Sequence, residues 1–115
     1  MIHGVGVDLV SLERFSRFAR DHAGRLPEMF TAGELARRAE LGRAFALKEA
    51  ALKAIGGLTG WELDWREIAS DRDGRLRLSG TVAAHAKKLG VGRLQASVSE
   101  VDGRVLATVI AERAK

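Results

Sequence analysis

Residues 43–57 read Arg43-Ala-Phe-Ala-Leu-Lys48-Glu49-Ala-Ala-Leu-Lys53-Ala-Ile-Gly56-Gly57. Alanine and leucine dominate the stretch and two glycines follow it. It predicts a helix over 43–55 that stops at Gly56-Gly57. At about 100° per residue, Ala44, Phe45, Leu47, Ala51, Leu52 and Ile55 form a broad apolar arc that demands burial on most sides. Lys48 falls inside that arc. Glu49 falls at its edge, four residues after Phe45 and three before Leu52, between the small side chains of Ala46 and Ala50. Charges in such a setting have a partner, a metal or a chemical task. The plainer alternative is a lysine stem that reaches out to water and an i,i+4 pair between Glu49 and Lys53.

Around this helix the chain reads as alternating elements without repeat, linker or low-complexity segment. Val5, Val7 and Leu9 alternate with Gly4, Gly6 and Asp8, which predicts a strand over 2–9. Ser11 is placed to cap a helix that runs to about Ala23 and stops at Gly24. A second helix is expected over 31–40. Hairpins are expected over 65–79, turning at Asp73-Gly74, and over 94–111, turning at Asp102-Gly103. A short helix over 81–89, closed by Gly90, lies between them. The order β-α-α-α-β-β-α-β-β predicts one α+β domain over 1–115, with a mostly antiparallel sheet packed against helices.

Two further features break the pattern of an inert domain. Asp8 ends an apolar strand on the face it shares with Gly4 and Gly6, where missing side chains let a backbone or a ligand approach. The plain reading is a strand-end carboxylate that helps cap the following helix. In that helix Arg14, Arg17 and Arg20 share a face opposite the stripe of Leu12, Phe15, Phe18 and Ala19. Such a row is either solvated, with Glu13 pairing to Arg17, or a docking surface for an acidic helix.

Composition bounds the chemistry. Hydrophobic residues make up 46% and charged residues 30%, as in an ordinary folded domain. No apolar run is long enough for a membrane span, and the start of the chain has no secretory-signal pattern. There is no cysteine, which excludes disulfides and thiolate metal sites; His3, His22 and His85 have no metal-ligand spacing. A cytoplasmic location is the expectation. The net charge of +4 favours an acidic partner or a phosphate-bearing ligand. Aromatic residues at 5%, without tyrosine, leave few stacking platforms for single-stranded nucleic acid, and no nucleic-acid motif is visible.

Three motifs together resemble holo-acyl-carrier-protein synthases of the 4'-phosphopantetheinyl transferase superfamily. Gly4-Val-Gly-Val-Asp8-Leu-Val is similar to that family's Gly-Ile-Gly-Xaa-Asp-Ile-Val. Phe30-Thr31-Ala-Gly-Glu34 is similar to its Phe-Thr-Xaa-Xaa-Glu. Residues 43–56 are similar to its Arg-Phe-Ala-Xaa-Lys-Glu-Ala signature with a trailing Lys-Ala-Xaa-Gly. The resemblance spans nearly the whole chain. It implies the phosphopantetheinyl transferase fold and transfer of a phosphopantetheine arm from coenzyme A to a serine of an apo acyl carrier protein. By the same resemblance Asp8 and Glu49 are expected to hold Mg²⁺ and act in catalysis with Lys48, a point charge on phosphate oxygens. Arg43, Lys48, Lys53, Gly56, Gly57 and Ser97 are expected to contact coenzyme A, and Arg14, Arg17 and Arg20 the carrier protein. A homotrimer with sites between subunits is also implied, with no nucleic acid or membrane as partner.

Two departures accompany the match. The family's Gly-Thr-Gly after the signature helix is replaced by Gly56-Gly-Leu-Thr-Gly60-Trp61. Its Ser-Xaa-Ser-His strand end becomes Ser97-Val-Ser99-Glu100, and a glutamate repels a phosphate where a histidine donates to it. These substitutions keep open a non-catalytic paralogue that binds carrier protein or coenzyme A as a scaffold or regulator. A basic nucleic-acid-binding domain has only net charge behind it.

Overall fold

Alternation at the start of the chain becomes strand β1, Ile2–Ser11, in the computed structural model, which describes residues 1–58 and 63–115. β1 runs two residues past the predicted end, and the Ser11 hydroxyl accepts from the Arg14 amide at 3.2 Å as the cap of α1, Leu12–Asp21. α1 ends at His22, whose amide closes on the Phe18 carbonyl, ahead of the stop expected at Gly24. An unpredicted short helix, α2 at Leu26–Met29, carries Pro27 in its first turn. The helix expected over 31–40 is interrupted. α3 covers Ala32–Leu35, and a separate 3₁₀ turn covers Arg38–Glu40. A capping box at Thr31 and Glu34 starts α3. Arg37 then folds back, donating to the Gly33 and Ser70 carbonyls, and the chain bends there.

The signature helix α4 spans Leu41–Ile55, starting two residues earlier than predicted and ending where expected, because Gly56 leaves it with φ of 76°. The first hairpin contracts to β2, Ile68–Ser70, and β3, Leu76–Leu78, since Trp65–Glu67 forms a 3₁₀ turn instead of strand. α5 covers Gly80–Lys88. β4, Val91–Val101, and β5, Arg104–Arg113, extend the second hairpin at both ends. Asp102 and Gly103 both take positive φ, as the turn reading requires. The predicted element order stands, with α2 added.

The main sheet has the order β1-β5-β4, antiparallel throughout; β2 and β3 form a separate two-stranded sheet. Register aligns Asp8, Ala107 and Val98 across the main sheet. α4 lies on this sheet face, where Val105, Ala107, Val109 and Ala111 of β5 are fully buried with Ala46 and Ala50 of the helix. Small residues allow the close approach. A Cβ at Gly6 would overlap the Ala50 carbonyl oxygen, and one at Gly4 the Ala54 carbonyl oxygen. The room left by these glycines therefore holds the backbone of α4. The other sheet face carries Val5, Val7, Leu9 and Leu106, all exposed. Among the described residues no helix is long and apolar enough to cross a membrane.

Candidate functional site

Glycine packing sets the geometry of the site. Because β1 and α4 meet at Gly4 and Gly6, the next residue on the same strand face, Asp8, comes to the flank of α4 that carries Glu49 and Lys53. Lys53 Nζ lies 3.1 Å from Asp8 Oδ1 and donates also to the Val7 carbonyl at 3.1 Å. The i,i+4 alternative, Glu49 with Lys53, gives way to this longer-range pair. Burial pushes the Glu49 carboxyl above its ordinary range, and the Asp8 charge adds to the rise, while Lys53 opposes it. Two carboxylates that repel, with an ammonium standing on one of them, make an edge that attracts cations.

That donor set fits Mg²⁺, which takes one or two carboxylates and completes its shell with water and phosphate oxygens. Among the described residues no cluster of three or more metal-ligating side chains exists, so the protein's own share of any shell stays small. Gly56 and Gly57 follow one turn beyond Lys53, both with positive φ, and His85 Nε2 meets the Gly56 carbonyl at 2.9 Å. Gly60 and Trp61 lie outside the described residues.

Lys48 is elsewhere. One residue along a helix is a rotation of about 100°, so Lys48 turns away from Glu49 and into the protein. Its side chain has 0% exposure. Its ammonium meets Glu34 Oε1 at 2.8 Å, the Trp65 carbonyl at 3.0 Å and the Ile68 carbonyl, which uses all three donors. In this structure Lys48 therefore faces the interior, with its stem neither reaching out to water nor standing at the edge of Asp8 and Glu49. In the sequence Glu34 stood only at the end of the Phe30-Thr31-Ala-Gly-Glu34 motif; the structure gives it both a capping-box role and the contact with Lys48.

A second polar cleft lies on the far flank of α4. Arg37, Arg43 and Arg72 line it together with the carboxylates of Glu34, Glu40, Asp71 and Asp73, with Ala44, Leu47 and Val98 at its apolar side, and Arg37 pairs with Glu40 at 3.4 Å. On the helix, Glu49 and Lys53 point roughly 150° away from Ala44 and Leu47. Arg43 itself stands about 120° around α4 from Glu49 and about 9 Å before it along the axis. Arg37 and Arg72 had no motif to mark them. Ser97 is exposed and pairs with Thr108, which pairs with Val7, so it stands on the sheet face opposite α4. One chain does not bring Ser97 to Asp8 and Glu49.

The basic face of α1 follows directly from β1. Arg17 pairs with Glu13 at 3.3 Å, in the open. Arg14 rims an apolar recess formed by Phe15, Phe18, Met29 and Phe45, which the sequence pattern did not reveal as a cavity. Among the described residues neither Arg14 nor Arg20 takes part in an ion pair.

Comparison with known proteins places this geometry in a family. Residues 4–109 match the model of the 4'-phosphopantetheinyl transferase superfamily. A holo-acyl-carrier-protein synthase from Frankia casuarinae is 40% identical over 113 residues, covering 95% of this chain and 96% of that protein. One from Clavibacter michiganensis is 38% identical over 115 residues, covering 97% of each. Among solved structures, the holo-acyl-carrier-protein synthase of Neisseria meningitidis superposes with a TM-score of 0.80 at 31% identity, over 98% of this chain and all of that one. A synthase–coenzyme A complex from Chronobacterium ammoniagenes superposes with a TM-score of 0.77 at 27% identity, over 97% of this chain and 98% of that one.

Proposed function

The chain belongs to the 4'-phosphopantetheinyl transferase superfamily, among its holo-acyl-carrier-protein synthases, and from that premise we propose that it transfers the 4'-phosphopantetheine arm of coenzyme A to a serine of an apo acyl carrier protein. The observation that carries the reading is the edge where β1 and α4 present Asp8 and Glu49 beside Lys53. Asp8 and Glu49 are the residues to hold Mg²⁺, which when bound supplies neutralising charge on the pyrophosphate. Lys53 is half-exposed on a flexible stem and can exchange Asp8 for a phosphate oxygen, where its charge opposes the growing charge of the leaving group. The carrier serine oxygen attacks the phosphorus that bears the pantetheine arm and gives up its proton to Glu49 or to water. The bond to the adjoining phosphate breaks, and adenosine 3',5'-bisphosphate leaves. Arg37, Arg43 and Arg72 are assigned to the outer phosphates of coenzyme A, and the Arg14 face with its apolar recess to the carrier protein.

We assign a homotrimer to the working state. The arginine cleft lies around α4 from the carboxylate edge, and an assembly in which the cleft of one subunit adjoins the edge of the next lets one substrate touch both. The exposed row of Val5, Val7, Leu9 and Leu106 is the kind of apolar surface that subunit contacts cover. Val7→Asp on that row is expected to give a folded monomer with little transfer activity, seen by light scattering and assay. A fully active monomer refutes the assembly.

The deciding experiment incubates the chain with coenzyme A, Mg²⁺ and several apo carrier proteins, then weighs the carriers. A gain of one phosphopantetheine arm, dependent on Mg²⁺, supports the reading. No gain on any carrier overturns it. Retained binding of coenzyme A or carrier in that case marks a scaffold, to which Glu100 in place of the usual histidine points.

A further inference from the structure

The one ion pair of the described residues with both side chains buried takes no part in the chemistry assigned above. Glu34, on α3, accepts four hydrogen bonds. Its Oε1 takes the Thr31 amide at 2.9 Å and Lys48 Nζ at 2.8 Å. Its Oε2 takes the Ser70 amide at 2.9 Å and the Ser70 hydroxyl at 3.1 Å. Lys48, on α4, spends its remaining two donors on the Trp65 and Ile68 carbonyls, and its ammonium sits 5.4 Å from the centre of the Phe30 ring. The polar atoms of the pair draw together four segments: the start of α3, the middle of α4, the turn before β2, and β2, which meets both side chains.

The end of β2 ties this pair to the arginine cleft. The Ser70 carbonyl accepts from Arg37 at 2.7 Å, and the Gly33 carbonyl holds the other terminal nitrogen of Arg37 at 3.0 Å. The next residue, Asp71, accepts from the amides of Asp73 and Arg75 at 2.9 and 3.0 Å and so shapes the turn that carries Arg72. Ser70 is thus gripped by Glu34 through its amide and hydroxyl and by Arg37 through its carbonyl. One wall of the arginine cleft therefore hangs on Glu34, and the other wall, with Arg43, is α4 itself, to which Lys48 belongs.

We infer that Glu34 and Lys48 are positioning residues for the arginine cleft: their buried pair fixes β2 and its turn against α4, and so sets where Arg37 and Arg72 stand relative to Arg43. The inference rests on the reading of that cleft as the seat of the outer phosphates of coenzyme A. Neither residue touches substrate. A purely stabilising pair would hold the same segments together without mattering to their spacing. Phosphate binding by three separate guanidinium groups does depend on spacing, because an ångström of misplacement can cost about a hundredfold in a positioned site.

The test compares wild type with Glu34→Gln, Lys48→Met and the double variant, each assayed well below its own melting temperature. Glu34→Gln keeps the size but replaces one acceptor oxygen by a donor, opposite Lys48 or Ser70. The double variant removes both charges and restores much of the lost stability. Expected is a rise of about tenfold or more in the calorimetric Kd and in the KM for coenzyme A. KM for the carrier and kcat stay near wild type, and the double variant recovers its melting temperature without its coenzyme A affinity. Unchanged coenzyme A affinity in folded variants overturns the inference and leaves a structural pair. A fall in kcat with KM for coenzyme A unchanged also overturns it, because Lys48 would then act on the reacting phosphate. Wild type that binds coenzyme A but modifies no carrier sinks the proposed transfer alone, since the Kd comparison still decides the positioning role. Wild type that binds no coenzyme A overturns both.

Discussion

α4 carries two lysine–carboxylate pairs five residues apart, and they differ in almost everything but chemistry. Lys48 and Glu34 meet at 2.8 Å with side chains 0% and 1% exposed; Lys53 and Asp8 meet at 3.1 Å with side chains 52% and 17% exposed. The buried pair is saturated by backbone groups of three other segments. The open pair leans on one carbonyl, that of Val7. Two charges taken out of water hold only while their partners stay in place, and removing one strands the other. An exposed pair contributes about 0–1 kcal/mol and can be exchanged for a ligand at little cost. The same ionic contact is a strut on one side of the helix and a loose latch on the other.

The sharpest way to test the latch is to remove its carboxylates. Asp8→Asn and Glu49→Gln are each expected to lower transfer by more than about a hundredfold, beyond the loss usual for groups that only orient a metal ligand. Neither is expected to lower the melting temperature appreciably. Asp8→Asn gives up only an exposed pair and relieves the repulsion felt by Glu49. Melting curves and carrier-modification rates on the same samples separate the effects. Activity per folded molecule equal to wild type would make the carboxylates structural and erase the contrast between the two pairs.

The strut predicts the reverse pattern. Lys48→Met leaves Glu34 charged and buried without its counter-ion, at a cost of about 3–5 kcal/mol and a melting temperature lower by roughly 10 °C or more. Acid supplies a second check. Burial raises the Glu34 carboxyl, but the Lys48 ammonium and the Ser70 and Thr31 amides outweigh it and hold the group below its ordinary range. A carboxyl lowered in the folded state stabilises the fold above its unfolded value, and that stabilisation is lost as pH falls through the folded value. Wild type should therefore lose stability on acidification below the ordinary carboxylate range more steeply than Glu34→Gln does. Equal slopes would mean that Glu34 is not held by its partners as described.

The contrast also explains how far the sequence could be read. The element order, the α+β class and both Asp-Gly turns were legible, because periodicity and turn residues are local signals. Asp8 and Glu49 were legible as charges in apolar settings, and Lys53 only as a partner for Glu49 or as part of the resembled signature. Lys48 was equally visible, but its fate depended on what covers α4. The segments that cover it, Thr31–Glu34 and Trp65–Ser70, carry no sign in sequence that they converge on one ammonium. The break at Arg37 was hidden for a similar reason, since it comes from bonds to Gly33 and to Ser70, thirty-three residues on. Ser97 could not be assigned to a sheet face without knowing which face α4 covers. Motifs named the residues here, and tertiary contacts decided what each one does.

The smallest expected effect lies outside both pairs, on α1, and asks whether open charges near the latch do more than stay in water. Arg14 stands in the first turn of α1, just past the cap residue Ser11 that ends the strand of Asp8, and it rims the recess of Phe15, Phe18 and Phe45. Each exposed pair with an acidic carrier helix is worth only about 0–1 kcal/mol and is screened over about 10 Å at 0.1 M salt. Several such pairs together raise the rate of encounter and fix orientation more than they deepen affinity. Arg14→Glu should therefore raise the KM for carrier protein severalfold, leave the KM for coenzyme A unchanged, and flatten the fall in rate with added salt at low carrier concentration. The rival account gives Arg14 a packing role, its stem lying over the aromatic recess. Reversal would then lower the melting temperature and weaken both substrates alike. Arg17 supplies the internal control, because Glu13 already offsets its charge, so Arg17→Glu should perturb carrier binding less than Arg14→Glu. Equal effects at the two positions would show that the face acts through its total charge, and that being closest along the chain to Asp8 gives Arg14 no special part.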